Sequence, residues 1–243
     1  QMCIRDSIAV VLLRHLSNFT DFNRLERDER VNLYYTNNTE EISKADIVIL
    51  PGTKSTLDDL LELRRNGVAE AVVRAARNGA TVFGICGGYQ MMGLSVEDPD
   101  GVEGGISRLP GLGLLPVSTV MLSEKVTRQT EFRFLDKDGD ICKGYEIHMG
   151  QSSISADSDA VPLNYLQDGT AEGWRVGEKC FGTYMHGILD NEAVVNYLLA
   201  PYTDIEKGNI SDYLSFKEEQ YDRLAAHVRS HINICLLYTS PSP

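Results

Sequence analysis

A chain of 243 residues, 42% hydrophobic and 24% charged, is long enough for one large domain or two small ones with a sizeable core. Its formal net charge of −12 and isoelectric point near 4.9, without any basic cluster, argue against general nucleic-acid binding. No apolar run approaches the roughly 18 residues a membrane span needs, and no secretory signal is visible.

Five cysteines at irregular spacing suit neither a disulfide framework nor a zinc site, so a reducing cytoplasm is expected and no metal. The two ends, 1–7 and 233–243, match no pattern in the adjoining chain. They resemble translated sequencing-adapter read-through and are set aside, which makes Cys3 and Cys235 artefacts.

In order, 8–13 is a continuous apolar run, as in a strand buried on both faces. A polar segment from Ser17 to Arg30 follows. A second strand is expected at 31–35, a helical turn at 40–44 and a third strand at 46–50. Pro51-Gly-Thr-Lys-Ser-Thr56 lacks the second glycine of a phosphate loop and reads as a turn before a Ser/Thr-capped helix. Leu57, Leu60, Leu61, Val68, Val72 and Val73 recur at helical spacing, with Gly67 dividing the run into two helices.

Thr81-Val-Phe-Gly-Ile85 is a fourth strand, and it leads into Cys86-Gly-Gly-Tyr-Gln90. A cysteine at a strand-to-helix turn, with Gly84 two before it and Gly88 two after, has the layout of a nucleophile elbow. The Gly87 N–H would lie beside the sulfur and could serve a developing oxyanion, as could the N–H of Gly52. A buried structural cysteine is the plainer reading of the same residue. Alternation of apolar strands with helices implies an open, mostly parallel sheet, whose ligands bind beyond the carboxyl ends of the strands. Gly52 and Cys86 both fall at that edge.

The second half holds more glycine and strand formers. Strands are expected at 111–117, 130–134 and 144–148, a hairpin at 174–184 around Gly177-Glu178, and a helix at 193–199. His186, at a strand mouth beside Gly187, is placed like a catalytic base. The last segment, 213–232, reads as a polar helix on which His227 and His231 form a solvated face.

Gly84-Ile-Cys-Gly-Gly-Tyr-Gln90, Pro51-Gly-Thr-Lys-Ser-Thr56, Gly144-Tyr-Glu-Ile-His-Met-Gly150 and Gly182-Thr-Tyr-Met-His-Gly-Ile188 together resemble the glutamine amidotransferase domains of cobyric acid synthases. Leu16-Ser-Asn-Phe-Thr-Asp-Phe22 and Gly111-Leu-Gly-Leu-Leu-Pro116 extend the likeness, which covers 8–232. The resemblance implies a flavodoxin-like class I amidotransferase fold: an open, mostly parallel twisted sheet flanked by helices, with a more antiparallel second half. It implies Cys86 as nucleophile and His186 as base, with Gly52 and Gly87 N–H groups at the oxyanion and Gln90 against bound glutamine. It also implies a corrinoid acceptor handled by a preceding synthetase domain that binds ATP and magnesium, so the domain itself needs no cofactor. Many class I enzymes carry a glutamate two residues after the histidine, where this chain has Ile188. Glu146 or Asp190 is a candidate for orienting His186, and Cys142 and Cys180 are packing residues. Two other readings stay open: another cysteine hydrolase of the same fold, and a non-catalytic domain that regulates a synthetase.

Overall fold

A computed structural model describes residues 6–202 and 213–231; Cys3, Cys235, Ile232 and most of the two segments set aside above lie outside the described residues. The chain divides into two units, Gln1–Asp204 and Ile205–Pro243. In the first, strand β1 (Asp6–Val11) pairs in parallel with β2 (Val31–Thr36) and β3 (Ile47–Leu50), and β3 pairs in parallel with β4 (Thr81–Ile85). β1 thus begins two residues before the apolar run: Asp6 and Ser7 pair with Val31 and Asn32, and Ser7 hydrogen bonds Asp46. The intervening helices are α1 (Asn23–Glu26), α2 (Thr39–Lys44), α3 (Thr56–Arg65) and α4 (Val68–Arg77). Gly67 does part α3 from α4, at φ +80°, a conformation that costs glycine little.

Ser55 makes no capping bond at the start of α3. Glu103, from a distant loop, supplies the acceptor instead: its carboxylate takes the Leu57 N–H at 3.1 Å and lies 3.1 Å from the Thr56 hydroxyl. A sequence window sees only local caps, so this one was not visible there.

After β4 comes α5 (Gly87–Met92), then two short paired strands, β5 (Ser95–Glu97) and β6 (Arg108–Pro110). Of the strand expected at 111–117, residues 111–116 form instead a loop wrapped over the end of α5. Its N–H groups from Gly111 to Leu115 bond the carbonyls of residues 91–94, and Gly113 adopts φ +68°. A ladder needs an extended backbone, and these residues spend their donors on a helix end.

The second half is built on a long hairpin, β7 (Val117–Phe134) and β8 (Ile141–Ile154). Then follow β9 (Val161–Leu166), β10 (Ala171–Val176), β11 (Cys180–Thr183), the two-residue β12 (Met185–His186) and helix α6 (Glu192–Leu199). The main sheet runs β12-β8-β7-β9-β10-β11-β4-β3-β1-β2. From β2 to β11 all pairings are parallel; from β11 to β12 all are antiparallel. The expected hairpin is therefore the seam of the sheet, because β11 faces β10 on one side and β4 on the other.

Side-chain alternation along β4 and β11 decides what each face carries. Phe83 and Phe181 pack at 4.8 Å on one face, and Phe181 meets Tyr197 of α6. Each such buried ring contributes about 2–3 kcal/mol. The other face carries Gly84 and Gly182, and α5 lies directly on them: added Cβ atoms would stand 2.6 Å from the Met92 sulfur and 2.5 Å from the Tyr89 ring. Gly88 is tighter still, its Cβ position being 1.9 Å from the Leu50 carbonyl oxygen.

In the second unit the described residues form helix α7 (Tyr213–His231), as expected. His227 and His231 are exposed there, with ring centroids 4.2 Å apart. No helix among the described residues is long and apolar enough to cross a membrane.

The contact at Gly88 is with backbone, which cannot swing aside, so Gly88→Ala is expected to cost about 3 kcal/mol or more, or roughly 6–12 °C in thermal midpoint. Gly105, with nothing within 4 Å of its Cβ position, supplies the control: Gly105→Ala should stay within about 0.5 kcal/mol of the parent. Circular dichroism melts of both variants check the contrast.

Candidate active site

Cys86 joins β4 to α5 at φ +52° and ψ −110°, a conformation that L-residues rarely adopt. The surroundings hold it there. Its N–H donates to the Thr183 carbonyl at 2.8 Å and its carbonyl accepts the first helical bond, from Gln90 N–H at 3.0 Å. The glycines at 84, 87 and 88 let α5 approach so closely that any side chain would strike neighbouring atoms at 2.7 Å or less. The elbow geometry is thus a consequence of backbone stacking. The thiol points towards the Ile147 carbonyl of β8, at 3.7 Å.

Three loops converge on the sulfur at the carboxyl ends of β1, β3 and β11. The loop after β3 carries Gly52, whose Cβ position is 2.9 Å from His186 Cε1 and 3.7 Å from Cys86 Cβ. Gly52 therefore lies against both side chains, and a substituent there would be driven into the imidazole. The same loop meets the helix start, since the Gly87 Cβ position is 2.6 Å from Thr53 Cγ2. The loop after β1 is stapled to it by a Leu16–Thr53 bridge, by Ser17 N–H to the Gly52 carbonyl at 3.0 Å and by Lys54 N–H to the His15 carbonyl at 3.1 Å. Buried Asp59 locks the pair, bonding His15 Nδ1 at 2.8 Å and the Thr53 hydroxyl.

That staple delivers a residue the sequence reading passed over. Asp21 sits in a short 3-10 turn (Phe19–Phe22), whose Phe22 is buried edge-on against Tyr35. Its carboxylate accepts from His186 Nδ1 at 2.7 Å and from the Gly187 N–H at 2.9 Å. Both Asp21 and His186 are fully buried. The orienting carboxylate is therefore neither of the two candidates from the sequence. Glu146 is spent on Arg128 and His148, and its carboxyl is held below the usual range: burial opposes ionisation, but its interactions with those two side chains outweigh it. Asp190 turns its backbone carbonyl to Arg24 at 2.7 Å. Asp21 was legible only as part of the 16–22 motif; nothing in its spacing ties it to a histidine 165 residues away.

His186 is pushed up to about 10. Burial works against the charged ring, and hydrogen bonds and charge from Asp21 and Cys86 overcome it. The imidazole thus holds a proton firmly, with Nδ1 on Asp21 and the Cys86 sulfur within hydrogen-bonding reach. Tyr145 stacks on the ring at 5.2 Å, and the Asn18 amide nitrogen is 3.0 Å from both ring nitrogens.

Gln90 lies four residues after Cys86, in α5. Its amide is buried and engaged three ways: Thr56 donates to Oε1 at 2.9 Å, while Nε2 donates to the Met149 carbonyl at 3.1 Å and to the Tyr184 hydroxyl at 3.3 Å. Burial pushes the Cys142 thiol up to about 11 and raises that of Cys180 as well, in keeping with packing roles.

This fold and site define the glutamine amidotransferase class. A glutamine amidotransferase crystal structure superposes with a TM-score of 0.59 at 16% identity, covering 79% of this chain and 97% of that one. A PurLQS structure from Thermotoga maritima gives 0.61 at 16% identity, covering 82% and 100%. At such identities the likeness is one of fold. The chain itself belongs to the CobB/CobQ-like glutamine amidotransferase domain family, whose profile matches residues 7–194. It is 65% identical over 233 residues to the cobyric acid synthase of Phocaeicola vulgatus and 66% identical over 232 residues to that of Bacteroides fragilis. In both cases 96% of this chain is covered and 47% of the relative, so the chain spans about half the length of these proteins.

The raised pKa of His186 sets a pH dependence for folding. A group whose folded pKa lies above its unfolded value of 6.5 contributes stability that is complete below 6.5 and lost as pH rises towards about 10. Denaturant titrations across that window should show stability declining with pH, and Asp21→Asn should flatten the decline. An equally steep decline in Asp21→Asn would remove Asp21 as a cause of the shift.

Proposed function

We propose that this chain is the glutamine-hydrolysing domain of a cobyric acid synthase, with Cys86 as nucleophile, His186 as its acid–base partner and Asp21 as the residue that positions His186. One observation carries the reading: a cysteine on a strained elbow and a buried histidine with a carboxylate on its far nitrogen both lie against Gly52. His186 takes the thiol proton, and Asp21 favours its staying on the ring. The sulfur attacks the side-chain carbonyl carbon of glutamine, and the oxygen gains the electron pair of the former double bond. N–H groups of Gly52 and Gly87 are assigned to that oxyanion. Collapse breaks the carbon–nitrogen bond as His186 returns its proton to the leaving nitrogen, which departs as ammonia. Water, deprotonated by His186, then cleaves the thioester to glutamate and restores the thiol. The substrate contact expected of Gln90 falls to the second lone pair of its Oε1, since both Nε2 hydrogens are taken.

The ammonia would be consumed in a synthetase half, where ATP and magnesium activate carboxylates of adenosylcobyrinic acid a,c-diamide for cobalamin biosynthesis. Support for that acceptor comes from the high identity to relatives named cobyric acid synthase. A free thiol nucleophile suits a reducing cytoplasm. We take 8–232 as the extent of the domain.

Exposure to 6-diazo-5-oxo-L-norleucine, followed by peptide mass spectrometry, tests the site. A single adduct on Cys86, blocked by excess glutamine and lost in His186→Ala, is expected. Asp21→Asn should lower kcat for glutamine hydrolysis by about 10²–10⁴-fold with little change in KM. If Cys86 still takes no adduct once the chain is joined to a synthetase half, the catalytic reading fails.

A further inference from the structure

Strand β11 runs parallel to β4 as far as Thr183, opposite Ile85; two residues on, β12 is antiparallel to β8, with Met185 opposite Glu146 and His186 opposite Tyr145. The chain therefore changes partners at Tyr184, deep in the sheet. A partner change strands backbone donors, and buried N–H groups left unpaired are costly. Here a carboxylate meets them. Glu172 Oε1 accepts the Tyr184 N–H at 2.7 Å, and Oε2 accepts the Thr183 hydroxyl at 2.5 Å and the Asn164 amide at 2.7 Å. The Thr183 hydroxyl in turn accepts the Met185 N–H at 2.9 Å.

The segment so held is the one on which the reacting pair depends. Its first residue, Thr183, takes the Cys86 N–H on its carbonyl, and His186 follows its last. The Tyr184 side chain continues the bracing, with its hydroxyl on Ser152 at 2.7 Å and on Gln90. The approach of Glu172 is prepared by the next residue: Gly173 lies at φ +70°, and a Cβ there would stand 2.6 Å from the Gly182 carbonyl oxygen. A buried carboxylate is a costly way to fill space, since apolar groups of the same volume usually serve stability as well or better. Desolvation accordingly raises the pKa of Glu172.

We infer that Glu172 is a positioning residue of the active site: by accepting the donors freed at Tyr184, it fixes the kink that holds His186 against Cys86. The inference rests on the reading of Cys86 and His186 as the reacting pair.

The test is the pH dependence of Cys86 alkylation by iodoacetamide in the full chain, alongside glutamine hydrolysis. In Glu172→Gln the amide group brings hydrogens towards the Asn164 and Thr183 donors, and the kink relaxes. The alkylation profile should move towards that of His186→Ala. The value of kcat should fall by roughly 10²-fold, the cost of about 1 Å of misplacement, with KM held within about twofold. Thr183→Val, which removes one hydroxyl, should shift the profile the same way, and Thr183→Ser should restore it; this pair decides the matter if Glu172→Gln does not fold. A lowered melting temperature with the parental profile and kcat would overturn the inference and leave Glu172 a packing residue. If His186→Ala changes the profile and neither Glu172→Gln nor Thr183→Val does, the reacting pair stands and only the positioning role falls. If His186→Ala changes nothing, the pair itself is wrong and this role falls with it.

Discussion

The helix after Cys86 rests backbone on backbone on the strand carrying Leu50, with only a glycine hydrogen between them. Much follows from that contact. A helix seated so low forces the connecting residue into a left-handed turn, and Cys86 is the residue that must take it. The strain is stored locally and offset by the bonds of its own peptide groups to Thr183 and Gln90. The thiol thereby faces the Ile147 carbonyl, with Gly52 beside its Cβ. Removing the glycines would damage the fold before the chemistry.

Charge completes what sterics begin. His186 is buried, and burial disfavours a charged ring. One carboxylate on Nδ1 and a sulfur nearby are enough to reverse that preference. The same carboxylate fixes the following peptide by accepting the Gly187 N–H, so orientation of the ring and of its backbone have a single cause. Asp21 reaches the site only because the loops after β1 and β3 are laced together by Asp59, His15 and Thr53. A cluster that looks peripheral thus holds the loop that carries a partner of the base.

What the sequence disclosed divides along a physical line. Local regularities were readable: the apolar runs of β1, β3 and β4, the helical spacing broken at Gly67, and the glycine bracket around Cys86 all report interactions within a few residues. The parallel half of the sheet and the seam hairpin followed from them. Distant pairings were not readable. Glu103 caps a helix 46 residues away, Asp21 meets His186 across 165, and the Gly111 loop lies on α5 although its alternating leucines mimic a strand. Gln90 was recognised by its place after the cysteine, yet the bonds that engage its amide come from Thr56, Met149 and Tyr184, which no local pattern links.

The split of the sheet at β11 bears on the order in which the molecule can be assembled. Strands β1 to β4 all lie within the first 85 residues and can pair while the ribosome is still making the rest, whereas the turn at Cys86 gains the Thr183 carbonyl only once β11 exists. The imidazole arrives about 100 residues after the sulfur, on a strand that pairs with β8. Its union with Asp21 then closes one of the longest loops in the chain. A nascent or truncated polypeptide therefore carries a thiol without a base. Chemical competence becomes the last property the chain acquires, and an unfinished product is inert by construction of its topology.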